Sequence, residues 1–114
     1  MTILIVDDTE ALLRTLVRQL IRRVPYTSIL TAPSYAEAML ILGRYSEVGL
    51  SAVITDYDLG SGPLNGAKLL GWAPSGCLRV LMSGGDVPSE AQANADHFLS
   101  KPFDVEALFQ VLGV

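Results

Sequence analysis

The chain contains 114 residues, of which half are hydrophobic and 18% are charged, and its formal net charge is −4. This size and composition predict one packed globular domain and argue against disorder. The apolar runs are shorter than the ~20 residues of a membrane-spanning helix, no basic leader precedes the first run, and no basic block suggests a nucleic-acid surface. A single cysteine, Cys77, cannot form an internal disulfide and fits a reducing, cytoplasmic setting.

The first two units of the chain are each a predicted strand followed by a predicted helix. Residues 2–6 (TILIV) are continuously apolar, which is typical of a strand buried on both faces of a sheet. The next segment has the pattern of a helix with one apolar side and one basic side, formed by Leu12, Leu13, Leu16, Val17, Leu20 and Ile21 against Arg14, Arg18 and Arg22. Residues 28–32 predict the second strand, and a capping box of Ser34 and Glu37 predicts a helix through about Tyr45.

Three further units complete the pattern. The remaining strands are predicted at residues 51–56, 78–83 and 97–101. A glycine-rich loop after the third strand leads to a short helix around residues 66–72, from which Trp72 is expected to pack. Asp104 is expected to cap a last helix. Five strand–helix units with short connections predict an α/β fold, in which helices cover both faces of a parallel sheet.

Polar residues stand at the ends of four of the predicted strands. These residues are Asp7 and Asp8 after the first strand, Asp56 at the end of the third, Ser83 at the end of the fourth and Lys101 at the end of the fifth. In doubly wound sheets, binding sites form at the carboxyl edge where such residues meet. An aspartate at one strand end is ordinary turn chemistry, and Asp8 alone could cap the first helix. Five polar residues at the ends of four strands indicate a site instead.

The three aspartates of this set predict a metal site. Carboxylates at contact distance repel one another by about 1–4 kcal/mol per pair, depending on the local dielectric, so the group needs a compensating cation. Lys101 supplies one positive charge. Mg²⁺ binds one or two carboxylates together with waters and a substrate phosphate, which suits this group of ligands.

Four segments, "LIVDD", "AVITDYDL", "VLMSGG" and "FLSKPF", resemble the receiver domain of two-component response regulators. The resemblance spans essentially residues 1–114 and implies one receiver domain with the flavodoxin-like strand order 2-1-3-4-5. It implies a phosphoacceptor in a two-component or phosphorelay signalling system and not an enzyme that turns over external substrates. The implied partners are a sensor histidine kinase or histidine phosphotransfer domain and a downstream target or output domain, with a second copy of the chain as a further candidate.

The resemblance also implies roles for individual residues. Asp56 would accept the phosphoryl group from a phosphohistidine, Lys101 would pair with that group, and Ser83 would donate a hydrogen bond to it. Mg²⁺ would be held by Asp7, Asp8, Asp56 and the backbone carbonyl of Asp58.

Two further features concern switching. Phe98 occupies the aromatic switch position of the family, and because it has no hydroxyl it could act only by packing. The peptide bond between Lys101 and Pro102 matches one that is typically cis. The loop "DYDLGSGPLNG" departs from the family pattern, because it lacks the usual Met-Pro turn and is longer and richer in glycine. The lifetime of the phosphoryl group is therefore not implied.

Two alternative functions remain at this point. Residues 56–58 (DYD) also resemble the DxD motif of haloacid-dehalogenase-like phosphatases, in which the second aspartate is a general acid. Those enzymes usually place the motif on the first strand with their acidic metal pair downstream, whereas here the pair lies upstream. The other alternative is a receiver-like interaction module that is not phosphorylated, against which the complete set of five site residues argues.

The connection between the fourth and fifth strands predicts a short helix. Residues 84–96 leave room for about two helical turns. Beyond Pro88 their apolar residues are three alanines, which bury little surface. We expect this helix to be loosely held, and the hypothesis is that phosphorylation orders it through Ser83 and Phe98.

Overall fold

The computed structural model describes residues 1–45 and 49–114, which form a five-stranded parallel sheet flanked by helices. The strands are β1 (Thr2–Val6), β2 (Ser28–Ala32), β3 (Ala52–Asp56), β4 (Leu78–Ser83) and β5 (His97–Ser100). The helices are α1 (Glu10–Arg23), α2 (Tyr35–Arg44), α3 (Gly66–Gly71), α4 (Ser89–Gln92) and α5 (Val105–Leu112). The strand order is β2-β1-β3-β4-β5, which confirms the predicted fold.

The core consists of two layers, one on each face of the sheet. Leu4 and Val6 of β1 belong to the layer that contains buried residues of α2 and α3. Ile3 and Ile5 belong to the layer that contains buried residues of α1 and α5. Successive side chains of a strand point to opposite faces, and all four of these residues are fully buried. The continuous apolar run of β1 is therefore explained by burial on both faces.

Helix α1 is covered on only part of its predicted apolar side. Leu13, Leu16 and Leu20 are buried, whereas Ile21 is 48% exposed. β2 is the edge strand beside α1, and the described chain places no further element over this flank of the helix. The apolar side predicted from the sequence is thus wider than the part that the domain buries.

The helix starts agree with the predicted caps. The Ser34 hydroxyl accepts a hydrogen bond from the backbone N–H of Glu37 at 3.2 Å, and the Asp104 carboxylate accepts one from Glu106 at 3.3 Å. The N-cap of α1 is Thr9, so Asp8 is not the capping residue of that helix.

For the two short helices, α3 and α4, one prediction is wrong and one is confirmed. α3 ends at Gly71, and Trp72 follows it as the C-cap with 65% of its side chain exposed, so the expected packing of Trp72 is wrong. α4 consists of four residues, none of them buried, which confirms a short helix in this connection. Among the described helices, none is long and apolar enough to cross a membrane.

Candidate functional site

The carboxyl edge of the sheet brings two aspartates and a lysine into direct contact. Asp7 directly follows β1, Asp56 is the last residue of the neighbouring β3, and Lys101 directly follows β5. The Lys101 Nζ lies 2.7 Å from the Oδ2 of Asp7 and 3.5 Å from the Oδ2 of Asp56. Because β4 separates β3 from β5, the long lysine side chain spans the end of β4 to reach both carboxylates. The sequence prediction that these strand ends meet is confirmed by this contact.

Asp7 is fully buried, and both of its carboxylate oxygens have a partner. Its Oδ1 accepts a hydrogen bond from the backbone N–H of Thr9 at 2.8 Å, and its Oδ2 accepts one from Lys101. A buried carboxylate is stable only when it is paired and hydrogen-bonded in this way. Asp7 therefore fixes the chain at the start of α1 and holds the ammonium group of Lys101 in place.

Three carboxylates of this edge form a cluster with the geometry of a cation site. Asp7, Asp8 and Asp56 each contribute one oxygen, and these oxygens lie within 4.8 Å of one another. Asp8 is exposed, and within the described residues its side chain makes no hydrogen bond or ion pair. Hard divalent cations prefer such oxygen ligands, so the donor set fits Mg²⁺.

Burial raises the pKa of the Asp56 carboxyl from 3.8 to about 6. Lys101 acts in the opposite direction, and the charges of Asp7 and Asp8 raise the pKa further. Ionisation of Asp56 is thus disfavoured by burial even beside Lys101. A further positive charge near Asp56 would make its ionisation more favourable.

The hydroxyl of Ser83 is turned toward the loop that follows β4. Its Oγ accepts a hydrogen bond from the backbone N–H of Gly85 and donates one to the carbonyl of the same residue, both at 3.1 Å. The backbone N–H of Lys101 donates to the Ser83 carbonyl at 2.8 Å, which joins the ends of β4 and β5. Ser83 is therefore buried beside the site, but its hydroxyl is engaged by the loop.

The start of α3 packs directly against the end of β3. The backbone N–H of Gly66 donates to the carbonyl of Tyr57 at 2.8 Å. A Cβ atom on Gly66 would lie 2.1 Å from the backbone oxygen of Asp56, so only glycine fits without displacing that backbone. Asn65 caps α3 by accepting from Lys68 at 3.0 Å. The start of α3 is thus packed directly against the backbone of Asp56.

Asp58 has its side chain fixed within the β3–α3 loop. Its Oδ1 accepts a hydrogen bond from the backbone N–H of Gly60 at 2.9 Å, and the residue is otherwise exposed. This turn restrains the backbone of Asp58, whose carbonyl was predicted to bind the metal.

An open polar pocket of about 520 Å³ adjoins the cluster. Its lining consists of Asp8, Asp56, Tyr57, Asp58, Gly62, Asn65, Ser83, Gly84, Gly85 and Asp86. Asn65 and Asp86 were not predicted as site residues, because Asn-Gly and Gly-Gly-Asp are ordinary turn sequences. Phe98 packs with the α2 and α3 layer of the core, and the peptide bond between Lys101 and Pro102 is cis, as expected.

No family model matches the chain, and no curated protein matches it, but solved structures match it over nearly its whole length. A response regulator protein from Burkholderia pseudomallei, with a phosphorylated aspartic acid, a calcium ion and citrate, is 24% identical with a TM-score of 0.73. That match covers 97% of this chain and 65% of the Burkholderia chain. The receiver domain of the hybrid histidine kinase CckA is 23% identical with a TM-score of 0.78, covering 99% of this chain and 96% of that one. This chain has the receiver fold.

A third structure with the receiver fold is the response regulator protein TrrA from Thermotoga maritima in complex with Mg²⁺ and BeF. It is 20% identical with a TM-score of 0.75, and the match covers 98% of this chain and 96% of that one. The Burkholderia and Thermotoga structures therefore combine the receiver fold with a divalent cation.

Proposed function

We propose that residues 1–114 form one receiver domain whose Asp56 accepts a phosphoryl group in a reaction that requires Mg²⁺. The observation that carries this proposal is the contact of the Lys101 ammonium with Asp7 and Asp56, beside a three-carboxylate cluster that opens into a polar pocket. The phosphorylated aspartic acid of the Burkholderia structure and the Mg²⁺ and BeF complex of the Thermotoga structure support the same chemistry.

In the proposed reaction, a carboxylate oxygen of Asp56 attacks the phosphorus atom of a phosphohistidine. The bond between phosphorus and the imidazole nitrogen breaks, the nitrogen keeps the electron pair and then takes a proton from water, and Asp56 becomes an acyl phosphate. The attack requires the ionised carboxylate. Because the pKa of Asp56 is raised only to about 6, the ionised form still dominates at pH 7 to 8.

The neighbouring residues have separate tasks in this proposal. Lys101, which already lies 3.5 Å from Asp56, would pair with an oxygen of the bound phosphoryl group. Ser83 would donate a second hydrogen bond once its hydroxyl leaves Gly85. Mg²⁺ would be held by Asp7, Asp8, Asp56 and the backbone carbonyl of Asp58. When bound, the ion would neutralise charge on the transferring phosphoryl group.

The proposed partners follow from the same chemistry. A sensor histidine kinase or a histidine phosphotransfer domain would supply the phosphoryl group in the cytoplasm, and a downstream target or output domain would read the changed surface. Phe98 would contribute to that change by repacking within its layer of the core. The domain would support its own phosphorylation and dephosphorylation and would not turn over an external substrate.

The test is phosphorylation by acetyl phosphate, measured by intact mass. With Mg²⁺ the parent protein should gain one phosphoryl group, and with EDTA it should gain none. Asp56→Asn should remain unlabelled, whereas Asp104→Asn, which changes the exposed capping residue of α5 outside the acidic cluster, should label like the parent. Undiminished labelling of Asp56→Asn would reject Asp56 as the acceptor. An unlabelled parent would favour the interaction module.

Asp58→Asn separates the receiver from the phosphatase alternative. In the receiver, Asp58 would contribute a backbone carbonyl, so the variant should still be labelled. In a DxD phosphatase, the same variant would lose its general acid and with it the steady hydrolysis of p-nitrophenyl phosphate. Sustained turnover by the parent that disappears in Asp58→Asn would establish the phosphatase instead.

A further inference from the structure

An apolar groove of about 740 Å³ lies between α1 and the edge strand β2, and it shares no lining residue with the polar pocket beside the acidic cluster. Its apolar lining includes Leu13, Val17 and Ile21 of α1 and Ile29 of β2. Val17 and Ile29 are only partly buried, and Ile21 is 48% exposed. The domain therefore leaves a contiguous apolar surface uncovered, and such surfaces commonly mark binding sites.

Three arginines line the same groove. Arg14, Arg18 and Arg22 follow one another at intervals of four residues, which places them in one row about 12 Å long on the surface of α1. All three are exposed, and none makes a hydrogen bond or ion pair within the described residues. Arg23 differs, because its guanidinium lies 5.3 Å from the centre of the Phe109 ring and donates a hydrogen bond to the Val114 carbonyl at 3.2 Å.

The arginine row is strongly basic, although the protein as a whole has a formal net charge of −4. α1 contains four of the eight basic residues and one of the twelve acidic residues, so its formal charge is +3 and that of the remaining chain is −7. Like charges four residues apart on a helix repel one another. Glu10 is the one acidic residue among the described residues that line the groove, so carboxylates of a bound partner would relieve the repulsion that remains within the arginine row.

We propose that the groove between α1 and β2 binds an acidic amphipathic helix of a partner protein. Apolar side chains of that helix would fill the space over Val17, Ile21 and Ile29, and carboxylates spaced by one turn would face the arginine row. This is the helix-in-groove mode of recognition, in which the apolar contacts supply affinity and the charges fix orientation. A partner helix of about three turns is long enough to span the row.

A second copy of this chain does not have a matching helix. Each of the described helices carries at most one acidic residue, so none presents carboxylates to all three arginines. The composition of the groove therefore favours a different protein as the occupant.

The probe for this proposal is a fluorescein-labelled helical peptide of about 15 residues, with leucines along one side and glutamates at three positions spaced by four. Binding to the full chain is measured by fluorescence anisotropy. One control peptide replaces each glutamate by lysine, and another replaces each leucine by serine. The acidic amphipathic peptide should bind, and both controls should bind at least about 10-fold more weakly.

Substitutions in the protein test whether the acidic peptide binds in the groove. Arg18→Glu should weaken binding of the acidic peptide at least about 10-fold, whereas Arg44→Glu, an exposed charge reversal at the end of α2, should change it less than about 2-fold. Ile21→Ser tests the apolar contacts and should also weaken binding, while circular dichroism checks that each variant is folded. Phosphorylation by acetyl phosphate should be unchanged in all three variants, since none of these residues touches the acidic cluster.

Several results would overturn the proposal. They are absence of binding by the acidic peptide, equal binding by the serine control, and equal weakening by Arg44→Glu. Binding of phosphatidylglycerol vesicles that Arg18→Glu abolishes, in place of peptide binding, would assign the groove to a membrane surface. A micromolar dimer in sedimentation that Arg18→Glu dissociates would assign it to a second copy of the chain.

Discussion

The two sides of the acidic site differ in how firmly the chain holds them. On one side, called here the anchored side, Asp7, Asp56 and Lys101 are joined by ion pairs at the ends of three strands. On the other, called here the loose side, residues 84–92 comprise a glycine-rich loop, in which only Val87 is partly buried against the core, and α4, a helix with no buried residue. Opposed charges are held by a rigid frame of strand ends, whereas a segment that rearranges is one whose movement costs little free energy.

The largest expected effect comes from removing the cation of the anchored side. Lys101→Met keeps most of the side-chain length but leaves the buried Asp7 and Asp56 without their ammonium partner. The protein should remain folded, with its free energy of unfolding lowered by about 2–4 kcal/mol in metal-free buffer, as measured by urea denaturation. Lys68→Met, which removes an exposed lysine from α3, should change that free energy by less than about 0.5 kcal/mol.

Addition of Mg²⁺ tests whether the lost stability of Lys101→Met results from the missing positive charge. The ion should restore part of the stability of Lys101→Met, because a bound divalent cation can replace the missing positive charge. Equal stability of the two lysine variants would show that the ion pairs of Lys101 do not hold the anchored side together.

The next effect comes from the close approach of α3 to β3. Gly66→Ala places a Cβ atom against the backbone oxygen of Asp56, and it should lower the free energy of unfolding by about 2–3 kcal/mol. Gly43→Ala is the matched control, since a Cβ atom there meets nothing within 4 Å and alanine should stabilise α2 by about 0.5–1 kcal/mol. Thermal denaturation of both variants gives the sign of each change. If Gly66→Ala were as stable as the parent, Asp56 would not depend on this packing.

A similar or somewhat smaller effect depends on pH. The pKa of Asp56 is about 6 in the folded chain and near 3.8 in the unfolded chain, so between these values the folded chain binds more protons. The stability of the parent should therefore fall as the pH rises from 4 to 6, and Asp56→Asn should escape this loss. In metal-free buffer the variant should be more stable than the parent by about 1–3 kcal/mol at pH 7.5.

This stability difference should disappear below pH 4, where Asp56 is protonated in both states. Asp86→Asn, an exposed change on the loose side, serves as the control and should retain the loss of stability between pH 4 and 6 that Asp56 causes in the parent. If the stability difference between Asp56→Asn and the parent stayed constant from pH 4 to 7.5, the ionisation of Asp56 would not be its cause.

The smallest effect is expected on the loose side and is measured by amide hydrogen exchange. Amides of residues 89–92 should exchange with opening free energies of about 0–2 kcal/mol, whereas those of β3 should approach the global stability. Under the proposed function, Mg²⁺ with beryllofluoride should slow exchange in α4 and leave α5 unchanged. Protection of α4 at rest equal to that of β3 would remove the distinction between the two sides.

The fold was predictable because short, largely apolar stretches recur along the chain and are bounded by turn residues. In β1 the stretch is continuous because the strand is buried on both faces, and the polar residues that follow such stretches mark the end of each strand to within about one residue. β5 ends at Ser100, so Lys101 lies just beyond the sheet, where its side chain can reach toward β1 and β3. The contact among the charged strand ends then follows from the topology of a parallel sheet.

Other features depend on the path of the chain, which a local pattern does not contain. Ile21 fits the apolar side of α1, but its exposure results from the edge position of β2. Trp72 is the C-cap of α3 and is 65% exposed, which the local apolar pattern does not reveal. Gly66 is required only because α3 returns to the backbone of Asp56, and a turn-forming glycine looks the same in the sequence whatever it contacts.

Movement of the Ser83 hydroxyl would couple the anchored side and the loose side energetically. Its two hydrogen bonds with Gly85 are worth about 0.5–1.5 kcal/mol each, and a phosphoryl group on Asp56 that recruited this hydroxyl would release them. A protein that binds the released loop would then favour phosphorylation, and phosphorylation would raise its affinity by the same factor, about 5–150-fold for a coupling of about 1–3 kcal/mol. Binding of a protein to the loop would therefore promote phosphorylation of Asp56, just as phosphorylation would promote that binding.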